Sequence, residues 1–400
     1  MTSKPDATGA QGTSLEQATR LEIVRTTERL QEIGDAWETL WEQADAPVFQ
    51  CHAWVAAWWH AVPDPHRRGL MIVLAWSGDR LDAVMPLAIC RLHGIRVLEW
   101  AAKDYSDYCD VLLRPCTDPA LAVRMWDYVS AQGGFDAAYL PHLLPTATAT
   151  TLTRRTTGGL ALHPHHRQAT SLRVVGRWEN GQAWFDSQSG NARRNYRRAL
   201  KSLSEGAKVE FRRLGPGEQL GPALQRCAEL KRAWCARNGL IAPLFDEGSP
   251  MLPALAQVLA DKNLLHVFVL ERDGIIVAIT INLVQHDTMM AYVTTYDSAF
   301  ERGSPGYILL YDYIRWAIDQ GATCIDFLCG DEDYKYRFAN QQVTLASFVG
   351  GRTLLGKMAL QSDRVWHAVQ SYRSRHQRPT SKAAPRANDE RAGTEAVAER

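Results

Sequence analysis

The segment TMMAYVTTYDSAFERGSPGYILLYDYIRWAIDQGATCIDFLCGDEDYK, residues 288–335, decides the fold. Its first part, Thr288 to Thr295, reads as a strand. At its centre Gly303-Ser304-Pro305-Gly306 stands where a strand ends and a helix begins. Ser304 is expected to cap the helix. Pro305 suits the first helical position, where no N–H is needed. Gly306 admits a ligand close to the backbone. The helix is expected over Tyr307 to Gln320, with Gly321 ending it. Strand Cys324 to Leu328 and an acidic, phenol-rich loop follow. A helix start of this kind offers free N–H groups and partial positive charge to a phosphate.

Outward from this segment, Val209 to Leu214 reads as a strand, Pro222 to Asn238 and Pro250 to Ala260 as helices, and Leu264 to Glu271 and Ile275 to Val284 as strands joined at Asp273-Gly274. A loop or short helix over Asp331 to Asn340 precedes a last strand, Val343 to Val349, and Trp366, Val369 and Tyr372 suggest a closing helix. The first half follows a similar order. Strand Leu21 to Arg25, helices Leu30 to Trp41 and Ala53 to Val62, a hairpin of Leu70 to Trp76 with Leu81 to Leu92, strands Ile95 to Trp100 and Tyr108 to Leu113, a helix near Leu121 to Val129 and strand Phe135 to Leu140 are expected. The resulting class is α+β, with two similar folds in tandem, each a mixed, mostly antiparallel sheet flanked by helices. The boundaries expected are a disordered N-terminus over 1–18, one domain over 19–165, a second over 166–375 and a disordered tail over 376–400.

Composition excludes several classes. A net charge of +1 gives no global pull toward nucleic acid or membrane. No apolar run is long enough to span a bilayer, and the N-terminus lacks a signal-peptide pattern, so a cytoplasmic location is expected. The eight cysteines have no zinc-like spacing, and His163-Pro164-His165-His166 has no Cys, Asp or Glu beside it, so no metal is expected. None of the cysteines has the setting of a nucleophile. Trp58, Trp59 and Trp234 read as core.

Local features carry more. From Asn191 to Leu203, Tyr196, Ala199, Leu200 and Leu203 form an apolar stripe, while Arg193, Arg197 and Lys201 recur at i+4 on the opposite side, flanked by Arg194 and Arg198. Unpaired cations at this spacing repel, and arginine forks suit phosphate, so Arg193 and Arg197 are expected to face an anion: CoA phosphates, a nucleotide-linked acceptor or an aminoacyl-tRNA. In the loop after Asp326, Glu332 and Asp331 are candidate bases for deprotonating an acceptor, and Tyr334 or Tyr336 candidate acids. Asp326 itself reads as a structural carboxylate, and Lys335 as a partner of Asp331. The loop Lys103 to Tyr108 is a candidate lining for an acceptor pocket.

Tyr296, Ser304-Pro305-Gly306, Leu309, Ile325 to Leu328, Gly330-Asp331-Glu332 and Tyr334-Lys335 resemble GNAT-superfamily acetyltransferases of the CelD, cellulose-biosynthesis type. The helix bearing Arg193-Arg194-Asn195 is similar to the basic segment of that group and of the related FemAB-like peptidyltransferases. The likeness spans roughly Ser171 to Val349. It implies an N-acyltransferase using acetyl-CoA or another acyl-CoA, with an amine or hydroxyl on a small molecule or glycan precursor as acceptor and a link to bacterial polysaccharide production. It places the pyrophosphate at Ser304, Gly306 and Tyr307, the thioester beside the backbone of Val293 to Thr295, and Tyr334 near the acid position. Two alternatives stand beside it: a FemAB-like aminoacyltransferase drawing on aminoacyl-tRNA, and a non-catalytic GNAT-like scaffold of a polysaccharide-synthesis complex.

Overall fold

The structure is a computed structural model that describes residues 19–61, 65–153, 158–215, 220–239 and 242–362. The expected disordered ends and the helix around Trp366, Val369 and Tyr372 lie outside the described residues. The first half runs β1 (Arg20–Val24), α1 (Thr27–Glu32), α2 (Gly34–Ala44), α3 (His52–Ala61), β2 (Arg68–Leu70), β3 (Ile72–Ser77), β4 (Arg80–Met85), β5 (Leu87–Leu92), β6 (Ile95–Trp100), β7 (Leu112–Leu113), α4 (Ala120–Gln132) and β8 (Ala137–Leu143). The second half runs β9 (His163–Pro164), β10 (Ala169–Val175), α5 (Gly181–Ser187), α6 (Gly190–Leu203), β11 (Val209–Leu214), α7 (Leu220–Asn238), α8 (Met251–Asp261), β12 (Leu265–Arg272), β13 (Ile275–Gln285), β14 (Thr288–Tyr296), α9 (Pro305–Asp319), β15 (Cys324–Cys329) and β16 (Gln341–Gly351).

A 12-stranded sheet follows the path β11-β12-β13-β14-β15-β10-β16-β8-β6-β5-β2, with β9 paired to β16 off that path. In each half a helix carries the chain from one strand to a parallel partner: α4 from β6 toward β8, and α9 from β14 to β15. The two halves therefore repeat one plan, and β16 joins them by pairing with β10 on one side and β8 on the other. In the second half, α5, α6 and α9 cover one sheet face through Trp184, Phe185, Tyr196, Ile308, Tyr311 and Ile314. Helix α7 packs Ala223, Leu224, Cys227 and Leu230 on the other face. The apolar stripe of α6 is buried as its spacing requires, through Tyr196, Ala199 and Leu203. Among the described residues, no helix is long and apolar enough to cross a membrane.

The first half departs from its sequence pattern at sheet changes. The run Leu81 to Leu92 is not one strand: it breaks at Pro86, β4 joining a separate sheet of order β1-β3-β4-β7 and β5 the large one. Proline has no N–H for a ladder, so the chain crosses between sheets there. Leu70 to Trp76 is likewise divided, the Met71 N–H bonding to the Leu87 carbonyl between β2 and β3. Tyr108 to Leu113 keeps only β7 as strand, because the Asp110 carboxylate accepts the N–H groups of Val111, Thr148 and Ala149. Leu30 to Trp41 is two helices that meet at Ile33. Strand β10 and helix α5 have no counterpart in the sequence reading; Ser171 and Arg173 interrupt the apolar signal of β10.

A buried polar junction fastens the halves. Tyr108 Oη donates to Asp326 Oδ2 at 2.7 Å, Ser171 Oγ donates to Asp326 Oδ1 at 2.8 Å, and Arg173 Nε lies 2.9 Å from Asp326 Oδ2. Asp326 is thus structural, as its sequence setting suggested. Removing a carboxylate that neutralises a half-buried arginine leaves that charge uncompensated. Asp326→Ala should cost about 3–5 kcal/mol in urea unfolding; a loss under ~1 kcal/mol would show that water replaces the carboxylate.

Candidate active site

Strands β14 and β15 run parallel but pair only at Thr288↔Cys324, Met289↔Ile325 and Met290↔Asp326. Beyond that point they part. On β14 a bulge falls at Tyr292, between the pairs Asn282↔Ala291 and Ile281↔Val293, and turns the strand. On β15 the N–H groups of Leu328 and Cys329 are taken by the carboxylates of Asp326 (2.8 Å) and Asp107 (3.0 Å) instead of by a strand. Tyr292 Oη donates to the Tyr105 carbonyl at 2.9 Å, which seats the 103–107 loop in the opening. The gap between the strand ends leads to the N-terminus of α9.

A cavity of about 480 Å³ lies there, lined by Lys231, Trp234, Thr294, Thr295, Glu332 and Tyr334, with Ser304, Gly306, Tyr307 and Arg337 along its far wall. Trp234 is therefore a cavity wall and not core. The Thr295 hydroxyl is buried and has no hydrogen-bond partner. Burial, with the Glu332 charge behind it, pushes the Tyr334 phenol above its usual range and keeps it protonated. Glu332 pairs with Lys335 at 2.8 Å, and Lys335 Nζ also donates to the Cys329 carbonyl at 3.0 Å, so the pairing expected with Asp331 is replaced by one with Glu332. Gly330 permits it: at φ 127° its missing Cβ would strike the Glu332 carboxylate and Lys335 Nζ.

Ser304 takes a left-handed conformation (φ 46°, ψ 52°), and its hydroxyl makes no capping bond, contrary to the sequence expectation. The turn bends so sharply that its carbonyl, not its side chain, receives the Tyr307 and Ile308 N–H groups. Pro305 lacks an N–H, which leaves Gly306 as the first donor of α9. A Cβ on Gly306 would sit 3.1 Å from the Tyr296 ring.

Ser304, Tyr307 and Arg337 also border a second cavity, of about 800 Å³, between α6 and α9. Arg198, Arg302, Asn191 and Asn195 line it, and no carboxylate does. Arg302 and Arg337 have no ion-pair partner among the described residues. Arg193, in contrast, pairs with Asp186 at 3.4 Å, and Arg197 is exposed; neither lines these cavities. The α6 face that meets the cavity is one residue on from the one the i+4 pattern picks out, because Tyr196 and Ala199 fix the helix rotation. Asp331 is exposed and Tyr336 is 49% exposed, and neither lines a cavity described here. Val293 is buried and faces a third, smaller cavity of about 200 Å³. Lys103 to Asp107, His142, Phe245 and Lys231 enclose that one. The thiols of Cys227 and Cys329 are pushed up by burial, leaving both protonated and unreactive. Among the described residues, no group of His, Cys, Asp and Glu forms a metal site.

Sequence reasoning missed Lys231 and Trp234, which one turn of α7 brings to the gap, and Arg198, Arg302 and Arg337. Arg302 adjoins Gly303 in the chain, but Arg337 is remote from it in sequence, and only the fold brings both beside Arg198.

Residues 190–336 match the family model of the acetyltransferase (GNAT) domain, from α6 to the loop after β15. Among solved structures, FemX superposes with a TM-score of 0.53 at 9% identity, covering 82% of this chain and 96% of that one. The C-terminal DUF2156 domain named for a lysylphosphatidylglycerol synthetase from Agrobacterium fabrum gives a TM-score of 0.50 at 13% identity, covering 84% and 96%. A tandem GNAT protein from the clavulanic acid biosynthesis pathway gives 0.45 at 11% identity, covering 83% and 98%. No curated protein matches the chain. At these identities the likeness is one of fold, and the fold is the GNAT fold.

Two changes probe the site. Thr295→Val removes a buried hydroxyl without a partner, so thermal unfolding should show unchanged or raised stability, by up to about 1–2 kcal/mol; a clear loss would mean that the hydroxyl is bonded. Burial pushes the Asp107 carboxyl up to about 6, from about 3.9 when unfolded. The folded form therefore holds a proton that the unfolded chain releases, and stability falls as pH rises between those values. Asp107→Asn should raise the denaturation midpoint above pH 7 and leave it unchanged near pH 4. Equal effects at both would place Asp107 in contact with solvent.

Proposed function

We propose that the chain transfers an acyl group from a CoA thioester to an amine or hydroxyl by direct attack. The observation that carries this is that the 800 Å³ and 480 Å³ cavities share Ser304, Tyr307 and Arg337 and so adjoin. One end is the β14 backbone edge and a mostly apolar wall, with Lys231 and Glu332 beside it. The other is ringed by Arg198, Arg302 and Arg337 beside a helix N-terminus. That is the shape and charge of a long donor with a polyanionic end and a neutral arm. The match of residues 190–336 to an acetyltransferase domain supports the same reading.

In this reading the arginines and the Gly306 N–H hold the phosphates, and the β14 edge with Thr295 flanks the arm. Bound acyl-CoA supplies an activated acyl carbon. Glu332 passes the acceptor's proton on to solvent, and Tyr334 protonates the departing thiolate. The unpartnered Thr295 hydroxyl is one donor that such a ligand would satisfy. Asp331, Arg193 and Arg197 have no part in it. The acceptor would enter from the 103–107 side, as a small molecule or glycan precursor, with domains divided near 165/166 so that the first half lines its path. A second reading, aminoacyl transfer from tRNA, draws on the exposed Arg194 and Arg197 of α6 and on the superposition with FemX.

Thermal melting with acetyl-CoA, longer acyl-CoAs, bulk tRNA or nothing separates these readings, since only a ligand of the native state raises the midpoint. A rise of several degrees with an acyl-CoA is expected, abolished when Arg302 and Arg337 are both changed to Glu. A salt-sensitive rise with tRNA alone would favour the second reading, and no rise with any of them a scaffold.

A further inference from the structure

Resting on the acyl-transfer reading above, we propose that the Lys231 amine is the proton acceptor for the attacking nucleophile, standing where the donor and acceptor meet. Lys231 is the one residue common to the linings of the 480 Å³ cavity at the parted strands and the 200 Å³ cavity behind the 103–107 loop. It projects from α7 across the free edge of β14. There its Nζ donates to the Thr294 carbonyl at 3.3 Å and lies 4.5 Å from the Trp234 ring centre. Among the described residues no carboxylate pairs with it. Glu332 is bound to Lys335 instead. A lysine held between two cavities without a counter-ion has an accessible neutral form, and the neutral form is a base.

The surroundings act in the same direction. Burial holds the Lys231 ammonium below the usual lysine range. The groups facing it are Cys227 and Cys235 on its own helix, and Glu332 and Lys335 from the loop after β15, of which Glu332 favours the cation and Lys335 opposes it. Across the larger cavity stand Glu301 and Arg337. Across the smaller one stand Lys103, Asp104, Asp107 and His142.

The proton count closes. An acceptor ammonium gives one proton to neutral Lys231 and becomes a nucleophilic amine. As its C–N bond forms and the C–S bond breaks, the second amine proton replaces the one that Tyr334 passes to the sulfur. Lys231 then returns its proton to solvent past the Glu332 side chain, which is 46% exposed. One proton leaves per transfer, as conversion of an ammonium and a thioester into an amide and a thiol requires.

The test is pH-dependent labelling of the full chain with acetic anhydride, with and without acetyl-CoA. Lys231 and the exposed Lys201 are read by peptide mass spectrometry, and the same samples are melted. Lys231 should label with a midpoint at clearly lower pH than Lys201. Acetyl-CoA should slow Lys231 labelling by about tenfold or more while leaving Lys201 unchanged. A Lys231 that titrates with Lys201, resists the reagent at every pH, or stays unprotected while acetyl-CoA still raises the melting point overturns this role and leaves the acyl-transfer reading standing. Absence of any melting shift with acyl-CoAs overturns that reading itself, and this role with it.

Discussion

The parting of β14 and β15 is the constraint on which the rest depends. Two parallel neighbours in a sheet ordinarily satisfy each other along their length, and an unpaired buried backbone group is costly. Here the ladder stops after three residue pairs, and substitutes take over. The Asp326 and Asp107 carboxylates accept the β15 N–H groups, and Lys231 donates to a β14 carbonyl. Both carboxylates are therefore committed to holding the gap open. Asp107 belongs to the first half of the chain, so the opening in the second half is kept by a residue more than two hundred positions away from the strand it serves. The site is a joint product of the two halves, though the match to an acetyltransferase domain falls wholly within the second.

Charge is arranged along the resulting passage. At the α9 end, three arginines face a cavity without acids, and an aromatic group of Tyr307, Tyr311 and Phe338 keeps the helix packed beneath them. Toward the parted strands the walls turn apolar and the ionisable groups become buried: a phenol held protonated, a lysine held toward neutrality, a carboxyl raised to about 6. These shifts share one leading cause, the loss of water around each group, which disfavours its charged form.

Much of this was legible in the chain. Helix α9 begins at Pro305 and ends before Gly321 because those residues permit little else, and the strands from Val209 to Val349 stand where alternation and turn residues put them. Glu332, Tyr334, Thr295, Ser304, Gly306 and Tyr307 do meet around one cavity. What stayed hidden depends on rotation and on contacts between distant segments. An arginine-rich helix shows its charge in one dimension, but whether Arg197 or Arg198 turns inward is fixed by where Tyr196 packs. Lys231 looks like any solvated lysine until α7 is laid over β14. In the first half, a nearly unbroken apolar run gave no hint, beyond Pro86, that the chain leaves one sheet for another.

The position of β16 has a consequence for biosynthesis. Residues 341–351 pair with β8 from the first half and β10 from the second, so both lobes wait on a strand made near the end of the described chain. While a ribosome is still translating, β8 has emerged with one edge uncovered, and an uncovered edge is a template for pairing with another molecule. The nascent first half thus keeps that edge open until its last strand arrives.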